Sequence, residues 1–216
     1  VSRGLGDVYK RQLKDGAQSS QSQIDGVEQD DETIAAGTVS EMKSDPKPEA
    51  IRVIDLCTGS GCIACALATE HPNMEVLAFD IAPEALALAQ RNVEAQGVAD
   101  RVSVRESDLL AAAIANPDNK GSFDAIVSNP PYIPSQVVDT LAAEVNDYEP
   151  RLALDGGADG LELFRRFIGD AYSLLKPGGV LAVELFEESL EEARTIALNN
   201  GFSEARIVQD LSLIHI

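Results

Sequence analysis

Two clusters in this sequence carry residues whose types and spacing could do chemistry. The first is Asp55-Leu56-Cys57-Thr58-Gly59-Ser60-Gly61. Gly59 and Gly61 let the backbone turn tightly and approach a ligand closely. Asp80 follows Gly59 by 21 residues. From the end of a second strand, a carboxylate at that interval reaches both ribose hydroxyls of an adenosine group held at such a turn. The second cluster is Asn129-Pro130-Pro131-Tyr132. Its two prolines remove two backbone donors and stiffen the loop, so acceptors are left pointing outward: the Asn129 amide oxygen and the Pro130 carbonyl. Such a pair accepts both hydrogens of a planar NH2 group, while Tyr132 supplies a flat face to pack on. That is a cradle for an amide or an exocyclic amine.

The turn by itself fits either NAD or S-adenosyl-L-methionine. A dinucleotide site wants Gly-x-Gly-x-x-Gly with a helix N-terminus on the pyrophosphate. Here Cys62, Ile63 and Ala64 follow Gly61, so the third glycine is absent, although Ala64 could take its place. The Asn-Pro-Pro-Tyr corner decides for S-adenosyl-L-methionine. A nitrogen held there can be aimed at a sulfonium methyl, and orientation supplies much of the acceleration of an in-line transfer. An amide nitrogen is a poor nucleophile because its lone pair is delocalised into the carbonyl. Drawing both N–H bonds toward fixed acceptors raises electron density on nitrogen without a strong base, and the scheme needs no metal.

These residues must be positioned by alternating strands and helices. Ile51–Cys57 is a short apolar run with the look of a buried parallel strand, and Gly61–Glu70 is Ala-rich and helical. Glu75–Phe79 is a second strand ending at Asp80; a helix follows, with Pro83 in its first turn and Gly97 at its stop. Arg101–Val104 and Phe123–Ser128 are the third and fourth strands. Leu161, Phe164, Ile168, Tyr172 and Leu175 line one side of a long helix closing at Pro177-Gly178-Gly179. Val180–Leu185 is a fifth strand, Glu187–Asn200 a helix and Glu204–Gln209 a sixth strand. The alternation predicts an α/β fold with a doubly wound, mostly parallel sheet. Both clusters then lie on the carboxyl rim of that sheet, where such folds bind nucleotides.

Composition narrows the function classes. Of 216 residues, 44% are apolar and 25% charged, which suits a globular core. No apolar run approaches the roughly 18 residues of a membrane span, and Val1–Gln12 lacks the apolar stretch of a secretory signal. The net charge is −19. Residues 1–50 hold 6 basic and 10 acidic side chains (−4), leaving 11 and 26 (−15) for residues 51–216. A chain so short of Lys and Arg is poorly equipped to displace counterions from a polynucleotide. Three cysteines crowded between Cys57 and Cys65 make no disulfide framework and point to a reducing, cytoplasmic setting. Their spacing matches the first three of a plant-type iron–sulfur set, but the fourth cysteine is missing, so they are read as small buried residues. Glu187, Glu188, Glu191 and Glu192 are read as one solvated helix face. Asp155 and Asp159 are read as part of a turn leading into a helix, because the EF-hand ligand spacing is absent.

Asp55–Gly61, Asp80, Ser107-Asp108 and Ser128–Ile133 together resemble the class I, Rossmann-like, S-adenosylmethionine-dependent methyltransferases. Tyr148-Glu149-Pro150-Arg151-Leu152-Ala153-Leu154-Asp155-Gly156-Gly157-Ala158-Asp159-Gly160-Leu161 is similar to the HemK/PrmC family of release factor glutamine methyltransferases, and the likeness runs from about Ile51 to Asp210. The resemblance implies N5-methylation of the glutamine side-chain amide in the Gly-Gly-Gln loop of a peptide chain release factor, by a monomer that meets nucleic acid only through the release factor or the ribosome. It implies that Asn129 and Pro130 hold that amide, with Pro131 and Tyr132 beside it and Glu149 in the pocket wall. Asp80 would take the ribose hydroxyls, and Thr58, Gly59, Ser60 and Gly61, following Asp55, the methionine part. Asp108 or Leu109 would lie near the adenine. Asn-Pro-Pro-Tyr is shared with adenine-N6 nucleic-acid methyltransferases, which makes that activity the alternative. A catalytically impaired adenosine-binding fragment is the third reading.

Three departures accompany the likeness. The family's N-terminal helical domain and its Arg-Pro-Glu-Thr-Glu type segment have no counterpart in residues 1–50, which read as a flexible or partly non-native segment rich in Gln, Ser, Gly, Asp and Glu. Where the family shows Glu-x-Gly, this chain has Glu184-Leu185-Phe186. The family's last, antiparallel strand is expected to be truncated, with residues 51–211 as the catalytic domain and 212–216 as a non-native tail. The chain is therefore read as a fragment of a longer reading frame.

Overall fold

The computed structural model describes residues 49–140 and 150–208. The expectations placed on residues 1–48, on Glu149 and on residues 209–216 lie outside the described residues.

The apolar run after Ala50 forms β1 (Ile51–Leu56), whose last four residues are buried. A strand buried on both faces belongs in the middle of a parallel sheet. β1 does so, pairing in parallel with β2 (Met74–Asp80) on one side and β4 (Phe123–Ser128) on the other. β3 (Val102–Glu106) flanks β2 and β5 (Leu175–Val183) flanks β4, giving the order β3-β2-β1-β4-β5. Helices connect the strands: α1 (Cys62–Glu70), α2 (Pro83–Ala95), α3 (Ala111–Ile114), α4 (Ser135–Val138), α5 (Glu162–Leu174) and α6 (Leu190–Asn199). This is the doubly wound α/β arrangement that the alternation predicts. No helix among the described residues is long and apolar enough to cross a membrane.

Alternation along β1 sorts its side chains between two layers. Ile54 and Leu56 join a core with Phe79, Phe123 and Ile126 and with Phe164, Phe167, Ile168, Ala171 and Leu174 of α5. Asp55 turns to the other face, where it meets the start of α1. Pro83 opens α2 as expected, its missing N–H being one that a first helical turn leaves unpaired anyway.

Four expectations need correction. Of the three cysteines expected to be buried, Cys65 is, but Cys62 is exposed and Cys57 only partly buried. β5 begins at Leu175 rather than Val180, because Leu175 pairs with Phe123 as soon as α5 ends. Pro177-Gly178-Gly179 then falls in a register shift before Val180 pairs with Ala125. Tyr172 is not on the buried side of α5 but half exposed, its ring set edge-on to Phe202 at 5.4 Å. Residues 204–208 form no strand, so no described segment pairs with the outer edge of β5.

Candidate active site

Because β1, β2 and β4 run parallel, their carboxyl ends share one rim. The register says how closely: Leu56 stands opposite Phe79 on one side and Ser128 on the other. The glycine turn, Asp80 and the Asn-Pro-Pro-Tyr corner therefore leave the sheet as neighbours. Ser128 Oγ donates to the Leu56 carbonyl at 2.8 Å, tying the end of β4 to the end of β1.

The turn is built by left-handed backbone at Cys57 (φ 58°), Gly59 (55°) and Gly61 (76°). Gly61 is needed for space as well, since a β-carbon there would lie 3.1 Å from the Ala89 side chain of α2. Asn92 Nδ2, one turn further along α2, donates to the Ser60 carbonyl at 2.8 Å. Cys57 carries a β-carbon, and among the described residues its only companion as a non-glycine with positive φ is Leu109 (φ 51°). Each such residue costs about 1–2 kcal/mol and persists only where its surroundings impose it. Both stand on this one rim, Cys57 in the glycine turn and Leu109 in the loop after β3.

Asp80 links the loops. Its carboxylate accepts from Gly59 N at 2.8 Å, from Ile81 N at 2.8 Å and from Ala82 N at 3.0 Å, while its carbonyl accepts from Ser107 N at 2.9 Å. A carboxylate offers about four acceptor positions, so these bonds leave room for a ligand hydroxyl. Ser107 Oγ donates to the Leu109 carbonyl at 2.6 Å and accepts from Ala112 N at 3.0 Å, which fixes the left-handed Leu109. Asp108 is exposed, and both its oxygens accept from Arg166 Nη2 of α5 at 2.8 and 2.9 Å.

Asp55 is fully buried. Its Oδ2 accepts from Thr58 Oγ1 at 2.6 Å and from Ala64 N at 3.0 Å, but its Oδ1 has no hydrogen-bond partner. Burial pushes this carboxyl up to about 7 against those two hydrogen bonds, with Asp80 adding repulsion. The Cys57 thiol is pushed up to about 12, first by burial and then by the charges of Asp80, Asp55 and Asp108. Three carboxyl groups thus lie around one turn, but Asp108 is paired with Arg166 and burial drives Asp55 toward its neutral form. Asp80 therefore supplies the negative charge that favours a cationic ligand over a pyrophosphate.

The corner is held from outside, since prolines at 130 and 131 deny it internal donors. Neither the Asn129 side chain nor the Pro130 carbonyl is hydrogen-bonded to another described residue. Tyr132 OH donates to Glu184 Oε1 at 2.9 Å; burial first, and then the Glu184 charge, hold the phenol above its ordinary value of 10. The family-like segment before α5 packs on the backbone of the same residues. Ile133 N donates to the Leu154 carbonyl, and Gly156 N to the Ile133 carbonyl, both at 2.9 Å. A β-carbon at Gly156 would sit 2.6 Å from the Tyr132 Cα, and one at Gly160 (φ 78°) would overlap the Tyr132 carbonyl oxygen. Asp155 accepts from Ser135 Oγ at 2.6 Å and Gly157 N at 3.0 Å, and pairs with Arg151.

Asp55, Thr58, Gly59, Ser60, Gly61, Asp80, Asp108, Leu109 and Asn129–Tyr132 thus occur on one rim. Glu184, Arg166 and the two close-packed glycines were not anticipated from the sequence. An acidic residue ending a strand on the same rim was the signal available for Glu184.

The family model for the methyltransferase small domain matches residues 33–146. The chain belongs to that family. It is 44% identical over 163 residues to a release factor glutamine methyltransferase of Geobacter sulfurreducens, covering 76% of this chain and 55% of the relative. Similarity to the enzyme of the same name from Caulobacter vibrioides is 39% over 171 residues, covering 79% and 57%. This methyltransferase chain therefore spans little more than half the length of these relatives. Among solved structures, a methyltransferase from Pyrococcus furiosus matches with a TM-score of 0.53 at 20% identity, covering 76% of this chain and 71% of that one. The N-terminal domain of human METTL16 in complex with SAH gives 0.53 at 23%, covering 75% and 56%. These two likenesses show the methyltransferase fold.

Proposed function

We propose that this chain is the catalytic part of an S-adenosyl-L-methionine-dependent enzyme that methylates N5 of the glutamine side-chain amide in the Gly-Gly-Gln loop of peptide chain release factors. When bound, S-adenosylmethionine supplies an electrophilic methyl group on a sulfonium. The residues present fit it: the Asp80 carboxylate suits its positive charges, and the buried, unpartnered Asp55 Oδ1 offers an acceptor once that carboxyl ionises. Asp80 takes a ribose hydroxyl at the acceptor position its backbone bonds leave open, Thr58–Gly61 the methionine part, and the strained loop at Asp108 and Leu109 the adenine. The Asn129 oxygen and the Pro130 carbonyl receive the two amide hydrogens, and the Tyr132 ring packs against the amide plane. These acceptors are fixed in advance, so they need not reorganise as charge develops on nitrogen. Neither is a base, and the amide proton leaves only after transfer, when the nitrogen is far more acidic and solvent water suffices to take it.

The observation that carries this reading is the pairing of Leu56 with Ser128, which starts the cofactor turn and the acceptor corner side by side. The names of relatives at 39–44% identity support the glutamine substrate over an adenine. The test is incubation with labelled S-adenosylmethionine and a release factor, followed by peptide mass spectrometry. Label on the Gly-Gly-Gln glutamine is expected; label on adenine, or none on protein, would overturn the proposal. Asn129→Ala should lose about 100-fold or more in turnover while cofactor affinity changes by no more than about threefold. Equal losses in both would remove Asn129 from the acceptor side.

A further inference from the structure

The acceptor corner is spanned at both ends by one residue. Glu184 follows β5, and its backbone N–H donates to the Ser128 carbonyl at 3.0 Å, immediately before Asn129. Its carboxylate accepts the Tyr132 hydroxyl at 2.9 Å, immediately after Pro131. Between those two anchors lie Asn129, Pro130 and Pro131, which make no side-chain hydrogen bond to a described residue. On its other side the Tyr132 backbone is already closed in by Gly156 and Gly160. The ring therefore has one fixed end, and Glu184 fixes the other.

We propose that Glu184 is a positioning residue of the methyl-transfer site: it holds the Tyr132 ring at one angle, presenting its face to the acceptor while keeping its hydroxyl committed elsewhere. The part of this that concerns the acceptor rests on the glutamine reading above; the brace itself does not. A carboxylate acceptor makes the phenol an obligatory donor, so Tyr132 cannot offer its hydrogen to the acceptor carbonyl. A competing hydrogen bond there would draw density away from the very nitrogen that must attack. The hydrogen bond to a charged acceptor also makes this brace stronger than one between neutral groups.

The test uses the full chain with Glu184→Ala, Glu184→Gln, Tyr132→Phe and the double variant Glu184→Ala/Tyr132→Phe. Ultraviolet titration of the phenols, which needs neither cofactor nor acceptor, should show one phenol ionising late in the parent chain. That phenol should ionise at lower pH in Glu184→Ala. In methyl transfer to a release factor, Glu184→Ala should lose about 10- to 100-fold in kcat, with cofactor affinity by calorimetry held within about twofold. Glu184→Gln retains an acceptor oxygen and should recover at least about a third of the parent kcat. Tyr132→Phe should match Glu184→Ala, and the double variant should be no worse than either, because both remove the same bond. An unmoved phenol titration, an unchanged kcat in Glu184→Ala, additive losses, or a loss confined to cofactor affinity would each overturn the proposal. If the parent chain transfers no methyl to glutamine and yet the phenol shifts as expected, the glutamine reading falls and the brace stands. If the parent methylates glutamine and the phenol does not shift, the brace falls alone.

Discussion

Replacing Asp55 by Asn should change how the stability of this domain responds to pH. Asp55 lies fully buried in β1, and its Oδ1 has no partner. Its carboxyl, ordinarily at 3.8, is pushed up to about 7, chiefly by burial. Between those two values the folded chain keeps a proton that the unfolded chain has released. Raising the pH through this window therefore weakens the fold. The full cost of the ionised form, reached above pH 7, is about 4 kcal/mol. About 3 kcal/mol of that falls between pH 5 and pH 8. Asp124, Asp155 and Asp159 are held below the usual carboxylate range, mainly through hydrogen bonds to Lys176, Ser135 and Arg165 that offset desolvation. Their contributions are lost only as pH falls, and they cancel when variant and parent are compared at one pH. An amide at position 55 keeps an oxygen for Thr58 Oγ1 and Ala64 N but cannot ionise. Urea unfolding of both chains at pH 5, 6, 7 and 8 should show the variant gaining on the parent by about 3 kcal/mol across the series. A difference flat to within about 0.5 kcal/mol would mean that water or local opening already solvates Asp55, and the conflict described here would be absent.

Gly160→Ala should lower the urea midpoint by the equivalent of at least about 2 kcal/mol, since φ is 78° there and the added methyl meets the Tyr132 carbonyl. It should also reduce methyl transfer more than cofactor affinity measured by calorimetry; a neutral variant would show that the segment before α5 does not shape the corner. Asp80→Ala should mainly weaken cofactor binding, by about 10-fold or more, because it removes both the proposed ribose acceptor and the bond that holds Gly59. Normal binding by calorimetry would rule out that contact.

The site elements most legible in the sequence were those set by local composition. Val53, Ile54 and Leu56 are apolar, and such a run before a glycine turn has few other places to go than the middle of a parallel sheet. Once β1 and β4 are parallel, both motifs must share a rim, so the site's location followed from element type alone. Its bracing did not, because Tyr132 and Glu184 are 52 residues apart and nothing local in either segment announces the other. The misplacement of Tyr172 has a geometric cause. Stepping four residues along a helix advances about 40° beyond a full turn, so a stripe continued from Phe164 through Ile168 to Tyr172 rotates off the face centred on Phe167, Ile168 and Ala171. The early start of β5 has another cause, since Pro177-Gly178-Gly179 reads as a break and the sheet instead absorbs it within the strand's register. Residues 204–208 show why β-propensity is the weakest of these guides. A strand exists only where a neighbour takes its hydrogen bonds, and no described segment lies along the outer edge of β5 to supply that pairing.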